Sequence, residues 1–215
     1  MLFRFERMVV PAERKRPWYL VLALLGALAL GTAGAFQGWG TFVSYHDPID
    51  PTIVGSGIAD EADRLAVVAR FQAYLQVLDL AKSRAWPLGV ATLVLGTAMF
   101  VFAMRALGGS GTARAVLVQL VVAQAGANAA SYWLLRDVFE AELRLREAED
   151  AATSHDTVPE RDQAEVLRAA AKMRRAGYPI ALALDTLGSA LIVVALTRRR
   201  ARAFFEPASE ALRER

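Results

Sequence analysis

The sequence predicts an all-α integral membrane protein: a four-helix bundle made of two tandem, parallel helical-hairpin repeats with helical extracytoplasmic extensions. Three observations predict this fold class. Four stretches of the 215-residue chain are apolar enough to cross a bilayer, one of them recurs 92 residues later, and basic residues cluster at one end of every stretch. A composition that is 55% hydrophobic is also high for a soluble domain and ordinary for a small membrane protein.

The four apolar stretches match the length of membrane-spanning helices. A helix needs about 20 mostly apolar residues to cross the hydrocarbon core. The first two stretches contain no charged residue, the third ends just before an arginine, and the fourth contains a single carboxylate. The first is interpreted as a retained span rather than a cleaved signal, because part of it aligns with the third. The spans are predicted at Trp18–Phe36, Trp86–Met104, Ala115–Leu135 and Tyr178–Thr197.

An internal repeat organises these spans into two copies of one unit. Trp86–Met104 recurs as Tyr178–Leu196 with seven of 19 positions identical. Each copy has the order span, outer segment, span, so the copies should be related by an axis along the membrane normal. The second copy differs by an outer helical hairpin. The predicted organisation is a cytoplasmic basic arm (1–17), a first repeat (18–107), a second repeat (108–197) and a cytoplasmic basic tail (198–215).

The distribution of charge predicts the orientation. The arm, the short link between the second and third spans, and the tail together hold 13 of the 25 basic residues but only five of the 22 acidic ones. Lysine and arginine in excess remain on the cytoplasmic side, which places both termini inside and both long loops outside. The excess of arginine over lysine suggests a bacterium, and therefore its inner membrane. Orientation explains the basic tail without nucleic-acid binding, which is not expected.

The segments between the spans carry helix signals of their own. Ser56 or Asp60 can cap a helix that runs toward Pro87, where the proline disfavours an unbroken helix. Apolar residues continue the pattern of the third span well past Leu135, which predicts one uninterrupted helix of roughly 35 residues. Thr157 and Glu160 form a capping-box signature that begins the return helix of the outer hairpin.

Small residues repeat every seven positions in the second and fourth spans. Since lipid offers no hydrophobic drive between helices, small residues that let backbones approach supply the packing. These helix-packing positions are Gly89, Gly96 and Ala103 in the first copy, and Ala181, Gly188 and Ala195 in the second.

Asp185 is the sharpest candidate for a functional residue. A carboxylate within a span is costly and marks a functional hypothesis. Asn128 lies at a similar depth in the third span, and Gln124 and Ser131 share its helix face. This polar seam between the third and fourth spans either passes a proton or an ion, or holds a small polar ligand. The alternative is a structural role in interhelical hydrogen bonding, worth about 0.6–2 kcal/mol.

Other chemistry has little support in the sequence. With no cysteine, thiol catalysis and cysteine metal sites are excluded. His46 and His155 are each followed by aspartate and are weak metal candidates; ordinary loop residues are the preferred interpretation. No histidine lies within a span, which argues against a bis-histidine haem site. We find no nucleophile or phosphate-binding motif, so neither catalysis nor a cofactor is expected.

These observations favour a non-catalytic inner-membrane protein, a scaffold, assembly factor or accessory subunit of a larger membrane complex. The expected partners are the lipid bilayer and either other proteins or further copies of the chain. The alternative is a small transporter or channel for a proton, ion or small polar solute through the seam.

Overall fold

The computed structural model describes residues 17–46, 54, 57, 58, 60–154 and 160–205. Within these ranges the chain is all-helical and contains no strand. The six helices are α1 (Trp18–His46), α2 (Glu61–Leu107), α3 (Gly111–Leu134), α4 (Arg136–Ser154), α5 (Glu160–Thr197) and α6 (Arg199–Phe205).

Four of the described helices, α1, α2, α3 and α5, are long and apolar enough to cross a membrane. Two of them are much longer than a bilayer requires. With 47 residues, α2 is about 70 Å long, against about 30 Å of hydrocarbon. Its N-terminal half, α4 and the N-terminal half of α5 carry most of the charge. We call residues 61–85, 136–154 and 160–177 the charged layer.

Two helix signals have different outcomes. Asp60 caps α2, since its carboxylate accepts a hydrogen bond from the Ala62 amide at 2.8 Å; Ser56 lies outside the described residues. The prediction of a break at Pro87 is wrong, because α2 continues through it. Similarly, α5 continues through Pro179. The residues four positions before these prolines are exposed, so water can bond the carbonyls that proline leaves free.

The prediction of one uninterrupted helix after the third span is also wrong. Leu135, with φ −110° and ψ 19°, separates α3 from α4. Arg84 of α2 supplies the physical reason: its guanidinium donates to the Leu134 carbonyl at 3.0 Å and to the Asp137 carboxylate at 2.6 Å. The Val138 amide donates to Asp137 at 3.1 Å. Hydrogen bonding to Arg84 holds the pKa of Asp137 below its usual value. The capping box around Thr157 lies outside the described residues.

The closest helix contact is made by glycines of α1 and α2. A Cβ at Gly96 would lie 2.4 Å from the Ala35 amide nitrogen and 2.7 Å from the Gly31 carbonyl oxygen. A Cβ at Gly38 would lie 2.5 Å from the Leu93 amide nitrogen. Gly89 lies against Thr41 one level further along, and Ala103 is fully buried. The packing positions of the first copy therefore lie in one interface, where the two backbones touch.

The same positions of the second copy lie differently. Ala181 is exposed, Ala195 is half-buried, and no atom lies within 4 Å of a Cβ built at Gly188. Large apolar residues beside them on α5 are exposed as well, among them Leu187 and Leu191. Among the described residues, the small-residue stripe of α5 is thus uncovered at Ala181 and Gly188, whereas its counterpart on α2 is covered by α1.

The main apolar core fills the end of the bundle opposite the charged layer. Fully buried residues from α2, α3 and α5 meet there, including Met99, Leu117 and Leu196. The short helix α6 closes this end, since Ala201 and Phe205 are buried in the same core. Part of the predicted basic tail is therefore packed structure. The arginines around Ala201 gave no sign of this in the sequence.

In the charged layer, α4 packs mainly on α2. Its apolar residues Val138 and Leu145 are buried against Leu78 and Phe71 of α2. Contacts between α4 and α5 combine one ring pair, Phe139 with Tyr178, and three polar bridges. The polar bridges are Arg174 to Asp150 at 2.7 Å, Arg175 to Glu147 at 2.9 Å, and the Tyr178 hydroxyl to Glu142 at 2.9 Å.

Candidate functional site

Three of the polar residues singled out in the sequence form a hydrogen-bonded chain. The Gln124 amide donates to the Asn128 carbonyl oxygen at 3.2 Å. The Asn128 amide in turn donates to an oxygen of the Asp185 carboxylate at 2.8 Å. Gln124 and Asn128 lie one turn apart on α3, and Asp185 faces them from α5. Both amides therefore direct N–H groups along the chain toward the carboxylate.

The position of the Gln124 side chain depends on a glycine of α1. Gln124 is only 3% exposed, and its Nε2 atom lies 2.7 Å from where a Cβ at Gly34 would stand. The missing side chain of Gly34 thus makes the space that the amide occupies. The Gln124 Oε1 atom is buried without a hydrogen-bond partner, which is costly for a polar atom at this depth.

The chain ends in a cavity of about 220 Å³. Asp185 and Asn128 form its polar wall together with Ser131 and Gln37, the latter contributed by α1. The structure therefore places Ser131 in the same cavity, although no hydrogen bond joins its hydroxyl to the three-residue chain among the described residues. Gln37 was missed by sequence reasoning, because it lies just beyond the predicted first span and gave no sign that α1 borders the seam.

Three aromatic rings also contribute to the lining of this cavity. Tyr132, Phe139 and Tyr178 all line it. Phe139 contacts both tyrosines, with ring centroids 4.7 Å from Tyr178 and 6.2 Å from Tyr132. The hydrogen bond from the Tyr178 hydroxyl to Glu142 fixes that ring. These residues were also missed, since aromatics at the end of a span are ordinarily attributed to the membrane interface.

The cavity borders the charged layer, since Phe139 of α4 is among its lining residues. The same three rings line a second hollow of about 380 Å³, whose walls include Arg136, Arg144, Arg175 and Glu140. Below Gln124 on the same face of α3, Val121 and Leu117 are completely buried in the main core. Asp185 therefore lies between the charged layer and the main apolar core, and that core separates it from the opposite end of the bundle.

The two weak metal candidates from the sequence are the histidines His46 and His155. His46 is the last residue of α1, and His155 lies outside the described residues. In the part of the chain that the structure describes, no cluster of three or more histidine, cysteine or acidic residues could hold a metal ion.

Fold and cavity define the class of protein: a helical, membrane-like protein with four apolar helices. No protein-family model matches the chain, and neither a curated protein nor a solved structure is significantly similar to it. Its function must therefore be inferred from its own residues.

Proposed function

We propose that this chain is a non-catalytic scaffold or accessory subunit of a bacterial inner-membrane complex. In that complex, a transmembrane helix of a partner protein packs along α5. Its hairpins are tandem repeats, its termini face the cytoplasm, and its charged layer faces outward. The distribution of basic residues supports this orientation.

One observation carries the proposal: among the described residues, the small-residue stripe of α5 is uncovered around Gly188. On α2, the corresponding Gly96 is in backbone contact with α1. On α5, Gly188 has open space around it. Small residues that admit another backbone are typical of helix interfaces in membranes. Lipid contact does not require them, so a partner helix is the occupant that this stripe fits best.

Site-specific cross-linking tests the partner, because the chain has no cysteine of its own. Leu187 on α5 and Leu22 on α1 are matched positions for a single cysteine, because their side chains are 58% and 57% exposed. After labelling with a photoreactive maleimide in native membranes, we expect one defined protein adduct from Leu187→Cys and none from Leu22→Cys. Adding Gly188→Leu should abolish the adduct while leaving the fold intact. Lipid-only labelling at both positions would contradict the proposal.

Accessibility labelling tests the orientation. Asp79 lies exposed in the charged layer and Arg200 lies exposed on α6. In spheroplasts, a membrane-impermeant maleimide should label Asp79→Cys at once and Arg200→Cys only after permeabilisation. The reverse order would invert the proposed topology.

The second candidate function is passage of a small polar solute through the seam. The hydrogen-bonded chain that ends at Asp185 favours it, because an ionisable residue within a span commonly marks a transport path. Transport would require the dry core below Gln124 to open. If Asp185→Asn and Asp185→Leu both leave solute flux in proteoliposomes unchanged but alter co-purification of a partner, this second candidate fails.

A further inference from the structure

We propose that the cavity beside Asp185 binds a small organic monocation, an ammonium or quaternary ammonium group, that enters from the charged layer. The inference shares its residues with the transport candidate but requires binding only, so it stands whether or not the solute crosses the membrane.

Charge is the first argument. The cavity wall of described residues contains one carboxylate, Asp185, and no basic side chain. The amides of Asn128 and Gln124 both point N–H groups along the chain toward that carboxylate. The carboxyl group thus has amide donors beside it but no basic partner in the described wall of the cavity, which leaves a place for a cation from outside.

The aromatic side of the cavity decides which kind of cation fits. Tyr132, Phe139 and Tyr178 line the same cavity as Asp185. Rings within about 6 Å of a cation attract it through their quadrupole, and the attraction grows when the cation is desolvated. A strongly hydrated metal ion gains little from such a wall, whereas an alkylated ammonium group exchanges its weak hydration for ring contact.

Size limits the ligand further. At about 220 Å³ the cavity is smaller than the roughly 300–1,000 Å³ of pockets that hold drug-sized molecules. It therefore suits a compact cation with a few carbon atoms around the nitrogen.

The basic residues at the mouth do not prevent entry. Arg136 is paired with Glu140 at 3.0 Å, and Arg175 with Glu147 at 2.9 Å. Arg144 is exposed, where salt screens its charge over about 8 Å. Tyr178 itself donates its hydroxyl hydrogen bond to the Glu142 carboxylate, which is also paired with Arg146 at 3.9 Å.

The test is calorimetric titration of the full chain in maltoside micelles with choline, with sodium chloride, and with 3,3-dimethylbutanol, the uncharged isostere of choline. We expect saturable binding of choline, no saturable binding of the isostere, and no competition by sodium at equal concentration. Asp185→Asn should weaken choline binding at least about tenfold, and Phe139→Leu, which keeps an apolar wall, should weaken it about threefold. Asp79→Asn, which removes an exposed carboxylate elsewhere on α2, should leave binding unchanged.

Each other outcome overturns the proposal. Equal binding of choline and its isostere would show an apolar cavity in which charge plays no part. Full competition by sodium would assign the site to an inorganic cation. Absence of saturable choline binding to the wild-type chain, which requires no variant to fold, would remove the site. Failure of the transport candidate would appear separately, as binding without flux in proteoliposomes.

Discussion

The substitution Gly96→Ala, compared with Gly188→Ala, measures how differently the two copies of the repeat are packed. These glycines occupy equivalent positions in the internal alignment. A Cβ at Gly96 would lie 2.4 Å from the amide nitrogen of Ala35, whereas nothing lies within 4 Å of one at Gly188. The two variants therefore add the same methyl group to opposite surroundings.

The magnitude follows from these distances. Ordinary van der Waals contact begins at 3.4 Å, so α1 must move away from α2 by about 1 Å to admit the methyl group. The obstructing atoms belong to the backbone of Gly31, Gly34 and Ala35, so no side-chain rotation relieves the clash. Overpacking of this kind costs about 1–3 kcal/mol, and the better helix propensity of alanine returns up to about 1 kcal/mol. We expect Gly96→Ala to destabilise by about 1–2 kcal/mol and Gly188→Ala to be neutral or slightly stabilising.

Equilibrium unfolding in mixed micelles of maltoside and dodecyl sulfate, followed by helical circular dichroism, measures both free energies. Tryptophan fluorescence provides an independent probe of the same transition. The reasoning is refuted if Gly96→Ala is as stable as the wild-type chain, or if Gly188→Ala loses as much stability as Gly96→Ala does.

Three further predictions concern other contacts. Asp137→Asn removes the ion pair with Arg84 and should cost about 0.5 kcal/mol of unfolding free energy at neutral pH. The pKa of Asp137 in the folded chain lies below its usual 3.8, so the stability difference from wild type should persist down to pH 3.8 and be lost as the pH falls further. Unfolding measured as a function of pH checks this. Phe205→Ala should destabilise by about 3 kcal/mol in the same unfolding assay, since Phe205 is 4% exposed, while Phe100→Ala at an exposed position should cost far less. Gly34→Ala should push the Gln124 amide aside, and so weaken choline binding severalfold with little loss of stability.

The sequence was most informative where a pattern is local. Four apolar stretches gave four membrane-type helices, and Asp60 caps α2 as expected. The association of Gln124, Asn128 and Asp185 was predictable too, because polar residues within spans must find partners when water is absent. Each of these inferences depends only on the residue type and its position along one helix.

Features that depend on a neighbouring helix were not predictable. The break at Leu135 requires Arg84, which is 50 residues away in sequence and bonds the Leu134 carbonyl. The aromatic wall of the cavity needs α4 and α5 to bring Phe139 against Tyr178. The small-residue stripes of α2 and α5 are similar in sequence, so they do not show which of them another helix covers. That depends on the helix that faces each stripe.

The glycine contact between α1 and α2 has a consequence for the order of folding. Every residue in that contact precedes position 107, so the first hairpin can close while the second half is still being synthesised. The contact of Gly26 with Ile192, by contrast, must wait for α5. Because domains and their parts generally fold in order of synthesis, the first hairpin would be the template on which α3 and α5 dock. Substitutions at Gly31 or Gly96 would then reduce the yield of inserted protein before they reduce the stability of what has folded.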